Sequence, residues 1–247
     1  MIRRLGRIAL AAVLAAGCRT AAPTARLPAY LIDPRTDLPG PFARGVEQGW
    51  ARMGEQKYAE ALLEFGGASG PAAAIGRVQA LLELGRIGEA RAACGAAFGS
   101  GIETAPALAA CGETAARAES WPEAYDLFEA ALLRLPGSDG LAERKQATAG
   151  KAVRALVDKA DRELKTEAAE SRSDAERALA IAPEDRGALV AAGRAAAATG
   201  DATAAFDRYY AAWKLDPSDV ATGEEAGTLA RKAGRGDAAF EIFSALA

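Results

Sequence analysis

Small and large apolar residues alternate along the chain at a fixed helical step. Ala61 precedes Phe65 by four positions, Ala90 precedes Cys94, Ala124 precedes Phe128, Ala205 precedes Tyr209 and Ala239 precedes Phe243. A four-residue step puts both members of each pair on one face of a helix. Ala90 and Ala124 are 34 residues apart, and so are Ala205 and Ala239. A glycine stands twelve residues before four of these alanines, as Gly49, Gly112, Gly193 and Gly227. Another stands five before three of them, as Gly85, Gly200 and Gly234. Pro183 and Pro217 are again 34 apart, each with an aspartate at the second position on, Asp185 and Asp219.

This pattern predicts a repeated helical hairpin. The first glycine lets helix A approach helix B, and the second ends helix A in a left-handed cap. The alanine brings helix B close, and the large residue fills the space between neighbouring hairpins. Proline ends helix B, and Asp185 or Asp219 caps the helix that follows. One hairpin buries too little surface to stand alone, so the units stack. The fourth unit is irregular, because Pro136 and Pro183 are 47 residues apart, 13 more than one repeat. Ser173-Asp174-Ala175-Glu176 reads as a capping box that starts its helix B, with the extra residues lengthening the helix around Gly150 to Lys165.

The spacing resembles the tetratricopeptide repeat (TPR) family, whose pattern is W-x2-L-G-x2-Y, then A-x3-F, then P. The fifth unit matches through Leu189, Gly193, Gly200, Ala205, Tyr209 and Pro217, and the third through Leu108, Gly112, Trp121, Ala124, Phe128 and Pro136. The sixth matches through Gly227, Gly234, Ala239 and Phe243, while the first two are partial. The resemblance covers residues 42–247. It implies an all-α, right-handed superhelical solenoid of about six TPR-like hairpins, and it says little about the ligand. In this family helix A lines a concave groove that holds partners. Carried over by repeat phase, the groove presents Trp50, Met53, Ile75, Gln79, Leu82, Glu113, Arg117, Val190, Arg194, Glu224 and Arg231, apolar at the N-terminal end and charged at the C-terminal end. Some members clamp a peptide carboxylate with paired Asn and Lys. This chain has no Asn, so that clamp is not carried over. Trp121 and Trp213 fall at packing positions.

The first residues follow a different rule. Arg3, Arg4 and Arg7 precede an apolar run from Ile8 to Gly17, too short for the roughly 20 residues that span a bilayer and of signal-peptide dimensions. Leu14-Ala15-Ala16-Gly17-Cys18 resembles a bacterial lipobox, in which the cysteine sulfur takes a diacylglycerol and becomes the new N-terminus after cleavage. Leu14 departs from the pattern by one position, and the alternative is an ordinary cleaved leader with a chance cysteine. Residues 1–17 are thus expected to be a signal peptide, with Cys18 lipidated. Arg19, rather than Asp, follows the cysteine, which by resemblance favours the periplasmic face of the outer membrane. Residues 18–41 carry Pro23, Pro28, Pro34, Pro39 and Pro41, which interrupt any helix. They read as an extended tether or as a strap packed along the first helices through Tyr30, Leu31 and Ile32.

Composition narrows the chemistry. Half the residues are apolar, only 6% are aromatic, and there is no histidine. The commonest general base and metal ligand is therefore missing. No phosphate loop, zinc motif or nucleophile elbow occurs, so neither catalysis, a cofactor nor a metal is expected. Setting aside Arg3, Arg4 and Arg7 leaves 27 basic residues against 33 acidic, a formal charge of −6. That balance argues against nucleic acid, which needs clustered cations. Cys94 and Cys111 fall on helices expected to pack, and read as a disulfide or as two small buried hydrophobes. The residue after the key alanine, Leu62, Tyr125 or Phe206, is expected beneath the next helix. In the sixth unit that residue is Phe240, expected to be exposed as a contact for a partner or a second copy. A short lipoprotein of six repeats is similar in architecture to the pilotins that assist outer-membrane secretins of type IV pili. It is also similar to the repeat lipoproteins of barrel-assembly and gliding-motility complexes. The expected function is a membrane-anchored, non-catalytic scaffold for envelope proteins, the alternative being a regulator or adaptor of cell-wall or outer-membrane assembly enzymes.

Overall fold

The computed structural model describes residues 41–247. Twelve helices and no strand occur among them. They pair in chain order as α1 (Arg44–Gly54) with α2 (Tyr58–Gly66), α3 (Pro71–Glu83) with α4 (Ile87–Gly99), and α5 (Ala105–Arg117) with α6 (Trp121–Arg134). The remaining pairs are α7 (Asp139–Glu163) with α8 (Ala168–Ile181), α9 (Arg186–Ala198) with α10 (Ala202–Leu215), and α11 (Val220–Lys232) with α12 (Gly236–Leu246). Each helix packs on its neighbours in sequence. Successive first helices also touch, α1 with α3, α3 with α5 and α7 with α9. The result is an all-helical solenoid of six TPR-like hairpins.

The glycine and aromatic positions work as complementary shapes. A Cβ on Gly49 would lie 2.5 Å from the ring of Phe65, one on Gly193 2.7 Å from Tyr209, and one on Gly227 2.6 Å from Phe243. Phe65 is gripped twice, because a Cβ on Gly76 of the next hairpin would come within 2.4 Å of the same ring. Phe65 and Phe128 are fully buried as a result. Two units depart from this pairing. Where the others place glycine against an aromatic, the second has Val78 with Cys94 and the fourth has Lys159 with Ala175. In the second, a larger buried residue on helix A is answered by a smaller one on helix B; in the fourth, the Lys159 side chain is exposed and its Nζ meets Asp174.

In three hairpins a left-handed glycine makes the turn after helix A: Gly85 (φ 71°), Gly200 (φ 82°) and Gly234 (φ 73°). The first and third hairpins have Gln56 (φ 61°) and Glu119 (φ 58°) at this position. The hairpin geometry therefore imposes the conformation even on residues that carry a Cβ. Asp185 and Asp219 cap α9 and α11 as expected, accepting from the Ala188 and Thr222 amides at 2.8 and 3.2 Å.

One expectation fails. Ser173 does not start a helix. It lies inside α8, which begins at Ala168. Asp174 faces inward, buried, and accepts from Lys159 Nζ at 2.6 Å. The register follows from Pro183 instead. Twelve residues before it stands Ser171, fully buried in the slot that alanine holds in the other units. The 13 extra residues do lengthen helix A of this unit, since α7 has 25 residues and so runs about 37 Å at 1.5 Å per residue.

Candidate functional site: the concave face

By the TPR resemblance, helix A of each unit is the one expected to line the groove. The same three slots, fifteen, eleven and eight residues before the key alanine, can be compared from hairpin to hairpin. In α1 they hold Val46, Trp50 and Met53, in α3 Ile75, Gln79 and Leu82, and in α5 Ala109, Glu113 and Ala116. All nine are buried, at 6% exposure or less. Sequence phase alone places Trp50, Met53, Ile75, Gln79, Leu82 and Glu113 on an open surface. The structure corrects this: these six side chains are covered. In α9 and α11 the slots hold Val190, Arg194 and Ala197, then Glu224, Thr228 and Arg231. Arg194 is half-buried and Glu224 and Arg231 are exposed, while the half-buried Val190 packs against the core.

An ionic cluster joins these helices, its Glu113 carboxylate buried while Arg117 itself stays exposed. The Glu113 carboxylate is nearly inaccessible, accepts from Arg117 Nε at 3.2 Å and pairs with Arg144 of α7. Arg117 in turn donates through Nη1 to the Leu82 carbonyl at 2.7 Å and through Nη2 to Glu83 at 3.1 Å. One guanidinium thus ties the end of α3 to α5, filling a fork geometry that lysine could not. Arg144 also lies 5.7 Å from the centre of the Phe128 ring. Glu47, Trp50, Gln79, Glu83, Arg117 and Arg144 are all engaged by partners.

The open half is charged and solvated. Arg194 pairs with Asp161 of α7 at 2.9 Å, both about 40% exposed. Arg186 pairs with Asp219, and Glu224, Glu225, Arg231 and Lys232 face solvent. Asp201, which sequence reasoning passed over, caps α10 by accepting from the Ala204 amide at 3.0 Å and pairs with Arg172. The amide and the guanidinium, in that order, hold its carboxyl below the usual carboxylate range. The Asp-x-x-Ala signature that caps α9 is repeated here, so the signal was present in the sequence.

Cys94 and Cys111 form a disulfide between α4 and α5, with Cα atoms 5.7 Å apart. Trp213 is buried, and the Trp121 ring receives Lys151 Nζ at 3.9 Å, so both pack as expected. Phe206 is buried, whereas Leu62 and Tyr125 are only half-buried. Phe240 is 76% exposed and Phe243 37%. Among the described residues no three His, Cys, Asp or Glu side chains converge as a metal site, and no helix is long and apolar enough to cross a membrane. Cys18, the expected signal peptide of 1–17 and all but the last residue of the expected tether of 18–41 lie outside the described residues.

No protein-family model matches the chain, and no curated protein matches it. Solved structures similar to it include the TPR2AB domain of yeast Sti1 in complex with a pHSP90, at 16% identity over 82% of this chain and 88% of that one, TM-score 0.37. Another is TTC0263, a thermophilic TPR protein of Thermus thermophilus, at 14% identity over 75% and 96%, TM-score 0.40. A third is YrrB, described as a TPR protein with an unusual peptide-binding site, at 18% identity over 81% and 91%, TM-score 0.34. The repeat spacing, the glycine–aromatic seams and the helix pairing make the fold TPR-like.

Proposed function

We propose that this protein is a non-catalytic scaffold that holds a protein partner on its concave face, anchored to a membrane by lipid on Cys18. The observation that carries the reading is the row of accessible charged side chains on α9 and α11. It presents Arg194 from α9 and Glu224 and Arg231 from α11. Side chains fixed on rigid helices bind with little ordering cost, and arginines are frequent interface hot spots. Within this class the reading is a pilotin-like assembly factor for an outer-membrane secretin, type IV pilus or motility complex, at the periplasmic face. Phe240 and Phe243 form a second contact, through which the C-terminal end meets a partner or a second copy.

The test is capture of partners from solubilised envelope with the intact lipoprotein, compared with Arg194→Glu/Arg231→Glu. Recovery of secretin or pilus components, lost in the variant while circular dichroism stays helical, supports the reading. Equal recovery with both proteins places binding elsewhere, and recovery of peptidoglycan or barrel-assembly enzymes replaces the pilotin role with the adaptor role. Cys18→Ser, followed by fractionation and labelling with a palmitate analogue, tests the anchor separately. No label on the wild type and unchanged membrane association would remove it. Phe240→Glu is expected to abolish self-association or reduce capture, read by light scattering and the same pull-down.

A further inference from the structure

Four of the six hairpins place an aromatic ring in one slot of helix B, as Phe65, Phe128, Tyr209 and Phe243, and the second places Cys94 there. A cysteine is far smaller than the ring it stands for. Val78 answers it from the α3 side. On the other side α4 and α5 pack more sparsely than any other successive pair of helices. The space left between α4, α5 and α6 is a cavity of about 200 Å³, with both Cys94 and Cys111 in its wall. Arg91, Gly95 and Glu123 also line it and are exposed, so they form its rim. The Arg91–Glu123 ion pair, at 2.9 Å, crosses from α4 to α6. Being solvated, it parts at little cost. A disulfide sealed in a core meets a reductant only after unfolding, whereas one that walls an open cavity is met in the folded state.

We propose that the Cys94–Cys111 bond is a thiol–disulfide exchange site, acted on in the folded protein by a peptide or protein dithiol whose thiolate enters this cavity. Cys94 is the attacked residue, being the more exposed of the two at 6% against 3%. The incoming thiolate bonds to Cys94 Sγ, the bond to Cys111 breaks, and its electron pair leaves on Cys111 Sγ, which takes a proton from water. The reagent's second thiolate then attacks the reagent's own sulfur in the mixed disulfide and releases Cys94. Two electrons pass to the protein, which ends with two thiols, and the reagent ends as a disulfide. α5 also carries Glu113 and Arg117 of the ionic cluster. Resting on the scaffold reading, loss of the covalent tie to α4 makes the grip of the concave face follow the thiol status of its surroundings.

The test follows reduction of the intact protein by dithiothreitol, with acid quenching and alkylation of the Cys94 and Cys111 peptides. In urea well below the unfolding transition the rate is expected to stay flat, because no unfolding precedes attack. A rate that climbs from the first addition, with the slope of global unfolding, overturns the proposal. Gly95→Leu adds a side chain in the cavity wall at a position where a Cβ meets nothing within 4 Å. It is expected to slow reduction about tenfold, by blocking access to the sulfur. Gly99→Leu, on the same helix and equally free of neighbours, controls for the gain in helix propensity and should leave the rate unchanged. Equal slowing by both, or none by Gly95→Leu, overturns the proposal. The Cys94 thiol of Cys111→Ser should react with an aromatic disulfide reagent faster than the Cys111 thiol of Cys94→Ser, and the reverse order overturns the attack at Cys94. No readout involves a partner, so failure of partner capture and failure of the exchange site are told apart.

Discussion

The two halves of the concave face are built on the same repeat and have opposite characters. In α1, α3 and α5 the inward slots are apolar and closed, and the charges among them, Glu113 with Arg117 and Arg144, are locked in place. In α9 and α11 the slots are charged and open, and their ion pairs are solvated. Repeat phase therefore fixes which way a side chain points, but not what covers it. The same ionic chemistry also carries different energetic weight. Removing one partner of a buried pair strands a desolvated charge, whereas removing one partner of a solvated pair costs little.

Mutations can break this comparison, beginning with the disulfide in the closed half. Cys94→Ala/Cys111→Ala is expected to cost about 3 kcal/mol, from the loop entropy released between residues 17 apart. Denaturant unfolding with and without a reductant measures it, and a reductant should leave the variant unaffected. Gly76→Ala comes next, at about 2 kcal/mol, because its methyl meets a Phe65 ring already held on the other side by Gly49. Gly193→Ala in the open half should cost less, since Tyr209 is gripped by one glycine; equal losses would remove the distinction. Arg117→Ala should also cost about 2 kcal/mol, because the buried Glu113 keeps only Arg144. Arg194→Ala should cost less than about 1 kcal/mol. Thermal melts of the two variants, with and without about 0.5 M salt, separate the buried pair from the screened one.

Two smaller effects sharpen the picture. Glu119→Gly, at a left-handed turn position, should stabilise the fold by up to about 1 kcal/mol. Loss of stability there would show that the Glu119 side chain matters more than its backbone. The Asp201 carboxyl has a lowered pKa when folded, so its contribution is present above the unfolded value of about 3.9. It disappears as the pH falls through the folded value. The difference in Tm between wild type and Asp201→Ala should therefore be full at pH 6 and close only once the pH has fallen past the unfolded value of about 3.9. A difference that persists in acid would assign the loss to packing instead.

Much of the fold was legible because its signals are steric. Glycine opposite an aromatic with alanine at the tightest approach recurs in four of the six hairpins, and proline ends helix B in the third, fourth and fifth. The second and fourth were obscured because Val78 with Cys94 and Lys159 with Ala175 replace the glycine–aromatic pair. Ser173 misled because its capping-box partners sit mid-helix, where Asp174 serves Lys159 instead. Counting back from Pro183 recovers the register. The candidate site was legible in direction only. Arg194, Glu224 and Arg231 fell on accessible surface, but the closure over Trp50, Gln79 and Glu113 depends on something beyond the phase of their own helices. Spacing brought Cys94 and Cys111 together as candidates, and only three dimensions join them.

The disulfide has a mechanical meaning. In a linear stack, order propagates from each unit to the next, and the weakest junction limits how far it travels. The α4–α5 junction is the most sparsely packed of the successive helix pairs, and it is the one that carries the covalent bond. With the bond intact, tension applied along the solenoid crosses that junction through sulfur rather than through contact area. With the bond reduced, the stack acquires a preferred fracture plane, and the first two hairpins become able to lose their order while the last four keep theirs.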